Sequence, residues 1–174
     1  MTPAPFMVVT ARNASPHDVS ALARMYRDLA DEQRAIRTIW PYADGLPTPV
    51  ADSLLTLLRR SDAIVVIGEI DDVPLGFLLA VEESLLDPMA DRRIGVVQLI
   101  FTAEEARGVG VGAAMLDVAM AHLSDRGIDL YDARVSPGHR MAKNFFESHG
   151  FKARSITMHR GPTMGEPPVE GQGA

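Results

Sequence analysis

Arg107-Gly108-Val109-Gly110-Val111-Gly112 places three glycines within five residues, between an apolar run at 94–101 and a helical pattern that begins Ala113-Ala114-Met115-Leu116. Glycines this dense take the chain through positive φ and let backbone N–H groups approach a ligand with no Cβ in the way. Where such a loop runs into a helix, the orphan amides of the first turn and the positive end of the helix dipole together receive an anion. The loop also constrains the fold around it. Strand, phosphate-type loop, helix and a further strand at 130–135 make a parallel crossover, which requires a sheet with a helix laid against it.

The rest of the chain supplies that sheet. Residues 6–12 read as a first strand. Ser15 as N-cap, Pro16 at the first helical position and Asp18 in the first turn begin a helix. Val19, Leu22, Ala23, Met25, Tyr26 and Leu29 carry it at helical spacing to about Gln33. Residues 36–49 hold Trp40, Pro41, Tyr42 and Gly45 and read as a loop; 51–60 read as a second helix with Leu54, Leu55, Leu57 and Leu58 turned inward. The apolar runs Ala63–Ile70 and 75–81 are strands joined by Asp71-Asp72-Val73-Pro74, a hairpin signal. Residues 84–93 are a polar loop and 94–101 another strand.

A long helix over 110–125 stops at Arg126-Gly127. Then follow a strand at 130–135, a turn at Ser136-Pro137-Gly138, a short helix at 139–148 and a last strand at 153–159. From 161 to 174, four glycines, three prolines and no apolar period predict a disordered tail. The order predicts an α/β protein with a mixed sheet, one domain over 1–160.

Composition narrows the function classes. Seventeen basic against 23 acidic residues give a net charge of −6, which argues against nucleic acid as partner, since phosphate-backbone binding needs a basic face. No run approaches the roughly 20 apolar residues of a membrane span. The first residues lack the charged and apolar regions of a secretory signal, and the chain has no cysteine, so a cytoplasmic location is expected and thiolate metal sites are excluded. The histidines form no metal spacing, so no metal is expected.

Three ligands compete for the glycine loop. A P-loop needs Gly-x-x-x-x-Gly-Lys-Ser/Thr, and no lysine follows these glycines. A dinucleotide fingerprint can be laid on Gly108, Gly110 and Ala113, but there the first glycine directly follows the strand, whereas Thr102 to Arg107 intervene here. The plainest alternative is that the glycines only let helix and strand pack closely.

The third ligand comes by resemblance. Arg107-x-x-Gly110-x-Gly112 after an apolar strand resembles the Arg/Gln-x-x-Gly-x-Gly/Ala pyrophosphate loop of the GNAT superfamily, the acyl-CoA-dependent N-acetyltransferases. Val-Ser-Pro-Gly-His-Arg-Met-Ala-Lys-Asn-Phe-Phe-Glu-Ser-His-Gly-Phe, residues 135–151, resembles the strand–helix segment of the same family, which closes on Gly-Phe. The likeness spans residues 6–160. It implies a central mixed, mostly antiparallel sheet of six to seven strands, flanked by about four helices and splayed between the strands 94–102 and 129–135. It implies acetyl-CoA as acyl donor, an amine acceptor on a small molecule or a peptide, direct attack in a ternary complex, and a homodimer as an option.

The same resemblance assigns roles. The backbone of Arg107, Gly108, Val109, Gly110, Val111, Gly112 and Ala113 would hold the coenzyme A pyrophosphate, with the Arg107 side chain either near the phosphates or bridged to Glu104 or Glu105. Ile100, Phe101 and Thr102 would present the strand edge along which the pantetheine arm pairs. His139, Ala142 and Phe146 match the cofactor-facing positions of the short helix.

Two of them depart from the family: His139 stands where asparagine is frequent, and Phe146 where a tyrosine often serves as acid for the leaving thiolate. Phenylalanine donates no proton, so the thiolate leaves unaided or Tyr131 or His139 serves, their plainer roles being strand packing and a helix cap. Glu82 and Glu83 end a strand where the acceptor cleft should open and are the candidate bases; adjacent strand residues face opposite ways, so only one can point inward. Gln98 and Thr102 can orient a water. Trp40 and Tyr42 either wall the acceptor pocket or pin their loop to the core. Phe146 also keeps open a non-catalytic module that binds acyl-CoA, and a nicotinamide-dependent enzyme is the third alternative.

Overall fold

A computed structural model describes residues 7–86 and 91–160. Five strands form one sheet in chain order: β1 (Val9–Asn13), β2 (Ala63–Ile70), β3 (Val73–Ser84), β4 (Arg93–Thr102) and β5 (Tyr131–Ala133). The first four pair antiparallel, and β5 pairs parallel to β4. The helices are α1 (Val19–Ile36), α2 (Trp40–Ala43), α3 (Val50–Arg59), α4 (Val111–Asp125) and α5 (Arg140–Ser148).

The α/β class and the mixed, mostly antiparallel sheet are as expected; the strand count is lower. Residues 153–159 join no ladder. Their partner β5 is only three residues long, and Ile156 and Met158 stay 77% and 88% exposed, so no buried apolar face drives pairing. Arg154 instead ties the segment to β5 through an ion pair with Asp132. The loop expected over 36–49 contains the extra turn α2, because Trp40 is buried and packs on Tyr26 at 6.2 Å between ring centroids. The β2–β3 turn is tighter than expected: Asp71 and Asp72 both take positive φ, as a two-residue type I′ hairpin demands, so β3 starts at Val73. Phe6 and the tail 161–174 lie outside the described residues.

Strand alternation divides the core between two faces. Val65, Ile67, Phe77, Leu79 and Leu99 pack under α1 and α3. Val66, Leu78, Ala80 and Val97 pack under α4 and α5, against Val111, Met115, Leu123 and Phe146. A fully buried side chain of this size contributes roughly 1.5–3 kcal/mol, so helices on both faces hold the central strands firmly. Gly68, Gly76 and Gly95 let α4 sit close: a Cβ on Gly68 would meet Val111 Cγ1 at 2.5 Å. At the far edge, Arg12 bridges Asp18 and Glu69 at 2.8 Å each, locking β1 to the start of α1 and to β2. Hydrogen bonds from Arg12 hold the Asp18 carboxyl well below the usual carboxylate range. Among the described residues no helix is long and apolar enough to cross a membrane.

Candidate acyl-CoA cleft

After β4 the chain makes one 3-10 turn, Glu104–Ala106, and then runs through the glycines into α4. Gly108 and Gly110 have φ of +78° and +101°, and a Cβ on either would meet nothing within 4 Å. Both are glycine for backbone direction. Gly112 differs, because its Cβ would stand 3.2 Å from the Phe145 ring, so it lets α5 close on α4. Close packing thus explains one glycine of the three and leaves two that aim the backbone.

Gly110 caps α4, and the first intrahelical bond runs from Ala114 N to Gly110 O at 2.9 Å. Among the described residues, no amide from Gly108 through Ala113 donates to a protein group. These N–H groups stand at the positive end of a 15-residue helix, with 108–110 exposed, which is the arrangement that receives a phosphate. The Arg107 side chain turns away to α1. Its Nη2 lies 2.5 Å from Glu32 Oε1 and its Nε donates to the Thr102 carbonyl at 2.9 Å; the expected partners Glu104 and Glu105 are not used.

Beside the loop the sheet opens. β4 and β5 pair only over Gly95–Tyr131, Val96–Asp132 and Val97–Ala133, and the ladder closes with Arg134 N donating to Val97 O. Gln98 is then an extra residue in β4, since Leu99 pairs with Leu79 and Val97 with Ala80. A bulge bends its strand and leaves one residue out of the ladder. Ile100, Phe101 and Thr102 continue against β3 with no strand partner on their other edge, which leaves a gap between β4 and the chain that follows β5. Phe101 itself is buried under α1.

The last turn of α1 reaches both walls of this gap. Glu32 holds Arg107, and Gln33 is bonded to His139 Nδ1 at 3.0 Å and to Ser136 Oγ at 2.7 Å. His139 is the N-cap residue of α5, yet its ring makes no cap bond. Burial holds its imidazole below the ordinary histidine pKa; Glu32 opposes that shift and Arg107 adds to it. Neither Glu32 nor Gln33 stood out in the pattern of the chain. The signal for Gln33 was there: it follows Leu22, Met25, Tyr26, Leu29 and Ala30 on the buried stripe of α1, a polar residue where an apolar one is due.

The remaining candidates separate. The Glu82 side chain is 3% exposed and gives one oxygen to Arg93 and the other to Arg126, each at 2.5 Å. It lies by the C-terminal end of α4, roughly 22 Å of helix away from Gly110, beside a concavity of about 560 Å³. Glu83 points to the other face, is half-exposed, and pairs with Arg134 at 3.0 Å where β5 leaves β4. The Tyr131 hydroxyl donates to Ile128 O at 2.8 Å, below the opening. Phe146 is buried against Phe145 and Phe151, while Ala142 is half-exposed one turn earlier. Trp40 is buried against Tyr26 and pins α2 to the core, and Tyr42 is 90% exposed.

An unpartnered amide loop at a helix N-terminus, beside a parallel pair that splays, defines an α/β protein shaped for an extended, phosphate-bearing ligand. The model of the acetyltransferase (GNAT) family matches residues 22–151, and the chain belongs to that family. It is 23% identical over 141 residues to an uncharacterized N-acetyltransferase of Archaeoglobus fulgidus, covering 81% of this chain and 91% of that one. Among solved structures it resembles a transcriptional regulator from Bacillus halodurans, at 21% identity and TM-score 0.70, covering 88% of this chain and all of the other. It also resembles a predicted acetyltransferase from Clostridium acetobutylicum solved with acetyl-CoA, at 14% identity and TM-score 0.67, covering 88% and 96% of the two chains. At these identities the solved structures speak for the fold alone.

Proposed function

We propose that this protein transfers the acetyl group of acetyl-CoA to a primary amine by direct attack in a ternary complex. The observation that carries the reading is the set of unpartnered amides from Gly108 to Ala113 next to the free edge of β4. The diphosphate sits on those amides. The pantetheine arm lies along Ile100 to Thr102, opposite His139 and Ala142, and brings the thioester to the bulge at Gln98. A bulged backbone amide there donates to the oxyanion as the neutral amine adds to the thioester carbon. Collapse breaks the C–S bond and releases coenzyme A thiolate, and the surplus proton on the new amide nitrogen passes to solvent. With a thiol pKa of about 8.5, that leaving group needs no protein acid, which suits a cleft where Phe146 and Tyr131 offer none.

The proton lost by the ammonium goes to a base. Glu83 is the carboxylate better placed for that task, at the root of the opening with one arginine partner. Both Glu82 oxygens are engaged, and its side chain turns to the α4 face. The acidic balance of the chain suits a cationic acceptor. A cytoplasmic location and a homodimer belong to the same reading.

Titration calorimetry with acetyl-CoA tests the cofactor, at concentrations spanning a typical KM range of about 1 μM to 1 mM. Saturable binding is expected, and its absence sinks the reading. The missing phenolic acid favours one second reading, a module that binds acyl-CoA without turnover. Acceptor-dependent release of free thiol across an amine panel decides between the two.

A further inference from the structure

We propose that Gln33 is a positioning residue of the acyl-CoA cleft: it holds His139 as the Nε2–H tautomer, so that this imidazole offers a hydrogen-bond donor to a carbonyl of the acyl-pantetheine arm. The inference rests on the acetyl-CoA reading for its ligand, and on the protein alone for its tautomer.

Gln33 is 4% exposed, so each of its amide atoms needs a partner. The amide is oriented with Oε1 accepting from Ser136 Oγ at 2.7 Å and its nitrogen toward His139. That nitrogen can only donate, and it lies 3.0 Å from Nδ1. Nδ1 is therefore the acceptor, and the single ring proton of the neutral imidazole sits on Nε2. Among the described residues Nε2 has no partner. An acyl-pantetheine arm is rich in carbonyl acceptors, and in the opposite tautomer Nε2 would meet them lone pair to lone pair. Gln33 thus joins three parts of the fold, α1, the turn after β5 and the cap of α5. Glu32, the residue before it, holds Arg107 on the other wall.

The test is ¹⁵N NMR of the His139 ring in the ligand-free protein, with calorimetry of acetyl-CoA on the same samples. The expected wild-type signature is an unprotonated Nδ1 and a protonated Nε2. Gln33→Leu keeps the size and removes the donor; it should mix the two tautomers. It should weaken acetyl-CoA binding by roughly 3- to 10-fold, the worth of one hydrogen bond, and Ser136→Ala should do so more weakly. Melting curves confirm that each variant is folded, and a variant that does not fold is replaced by Gln33→Met. Three results overturn the proposal: Nδ1 protonated in the wild type, a tautomer unchanged in a folded Gln33 variant, or an unchanged dissociation constant where the tautomer has moved. Failure of the wild type to bind acetyl-CoA at all removes the functional reading and the ligand half of this proposal with it, while the ring signals still report on the tautomer.

Discussion

Arg107 and Glu32 stand 75 residues apart in the chain and 2.5 Å apart in space, with the guanidinium of the glycine loop resting on the carboxylate of α1. Under the proposed function, a diphosphate arriving at the loop would compete with Glu32 for that charge. Glu32→Gln should bind acetyl-CoA about two- to fivefold more tightly at low salt, the range of a partly exposed ion pair, and the gain should shrink as salt is added. Arg107→Ala should bind more weakly than wild type. Titrations at two ionic strengths measure both, and equal affinities in all three proteins would show that Arg107 does not reach the phosphates.

Gly110→Asp should weaken acetyl-CoA binding by more than tenfold. A non-glycine residue at φ +101° is strained, and its carboxylate would face the phosphate. Because a Cβ there meets nothing, the fold itself should lose only about 1–2 kcal/mol from backbone strain. Calorimetry and thermal melts separate the two effects. An unchanged dissociation constant would place the ligand elsewhere.

Glu82 and Glu83 should behave in opposite ways. Glu82→Gln leaves Arg93 and Arg126 incompletely matched and should cost about 1–3 kcal/mol of stability, with kcat of the folded protein nearly unchanged. Glu83→Gln, half-exposed, should stay within about 0.5 kcal/mol of wild type yet lose roughly 100-fold in kcat if it takes the proton. Melting curves beside thiol-release rates give the answer, and a fully active Glu83→Gln would remove it from the mechanism.

Phe146→Tyr installs the tyrosine that the family resemblance leads one to expect, without installing its chemistry. The ring is buried with Phe145 and Phe151 each at 5.2 Å, so a new hydroxyl enters an apolar cluster. The variant should fold with about 1–3 kcal/mol less stability and with kcat unchanged. A clear rise in kcat would mean that this position faces the thioester.

The Asp18–Arg12 pair should contribute to acid sensitivity. The Asp18 carboxyl pKa is lowered in the fold below the ordinary 3.8, chiefly by hydrogen bonds from Arg12. The unfolded chain therefore binds the proton more readily, so this stabilisation is complete above the unfolded value and drains away as pH falls below it. Arg12→Met should cost about 2 kcal/mol at pH 7, less than a fully buried pair because the guanidinium is 44% exposed. The penalty should narrow between pH 5 and pH 2, as melts across that range would record.

Local chemistry determined much of this protein in advance. The positive φ of Gly108 and Gly110, the cap at Gly110 and the apolar stripes of α1, α3 and α4 are properties of short segments, so the glycine loop, the α/β class and the family were legible in the chain. Glu82 and Glu83 were legible as a pair facing opposite ways, but not which side held a pair of arginines. Residues 153–159 carry a strand pattern, and the brevity of β5 together with their exposed apolar side chains denies them a ladder. What the tertiary structure alone decided is how the cleft is lined: Arg107 on Glu32, and His139 on Gln33 across 106 residues. Those contacts depend on where α1 crosses the sheet, a global packing outcome that no local propensity encodes. The loop announces a phosphate; the helix laid across it settles which side chains remain free to meet one.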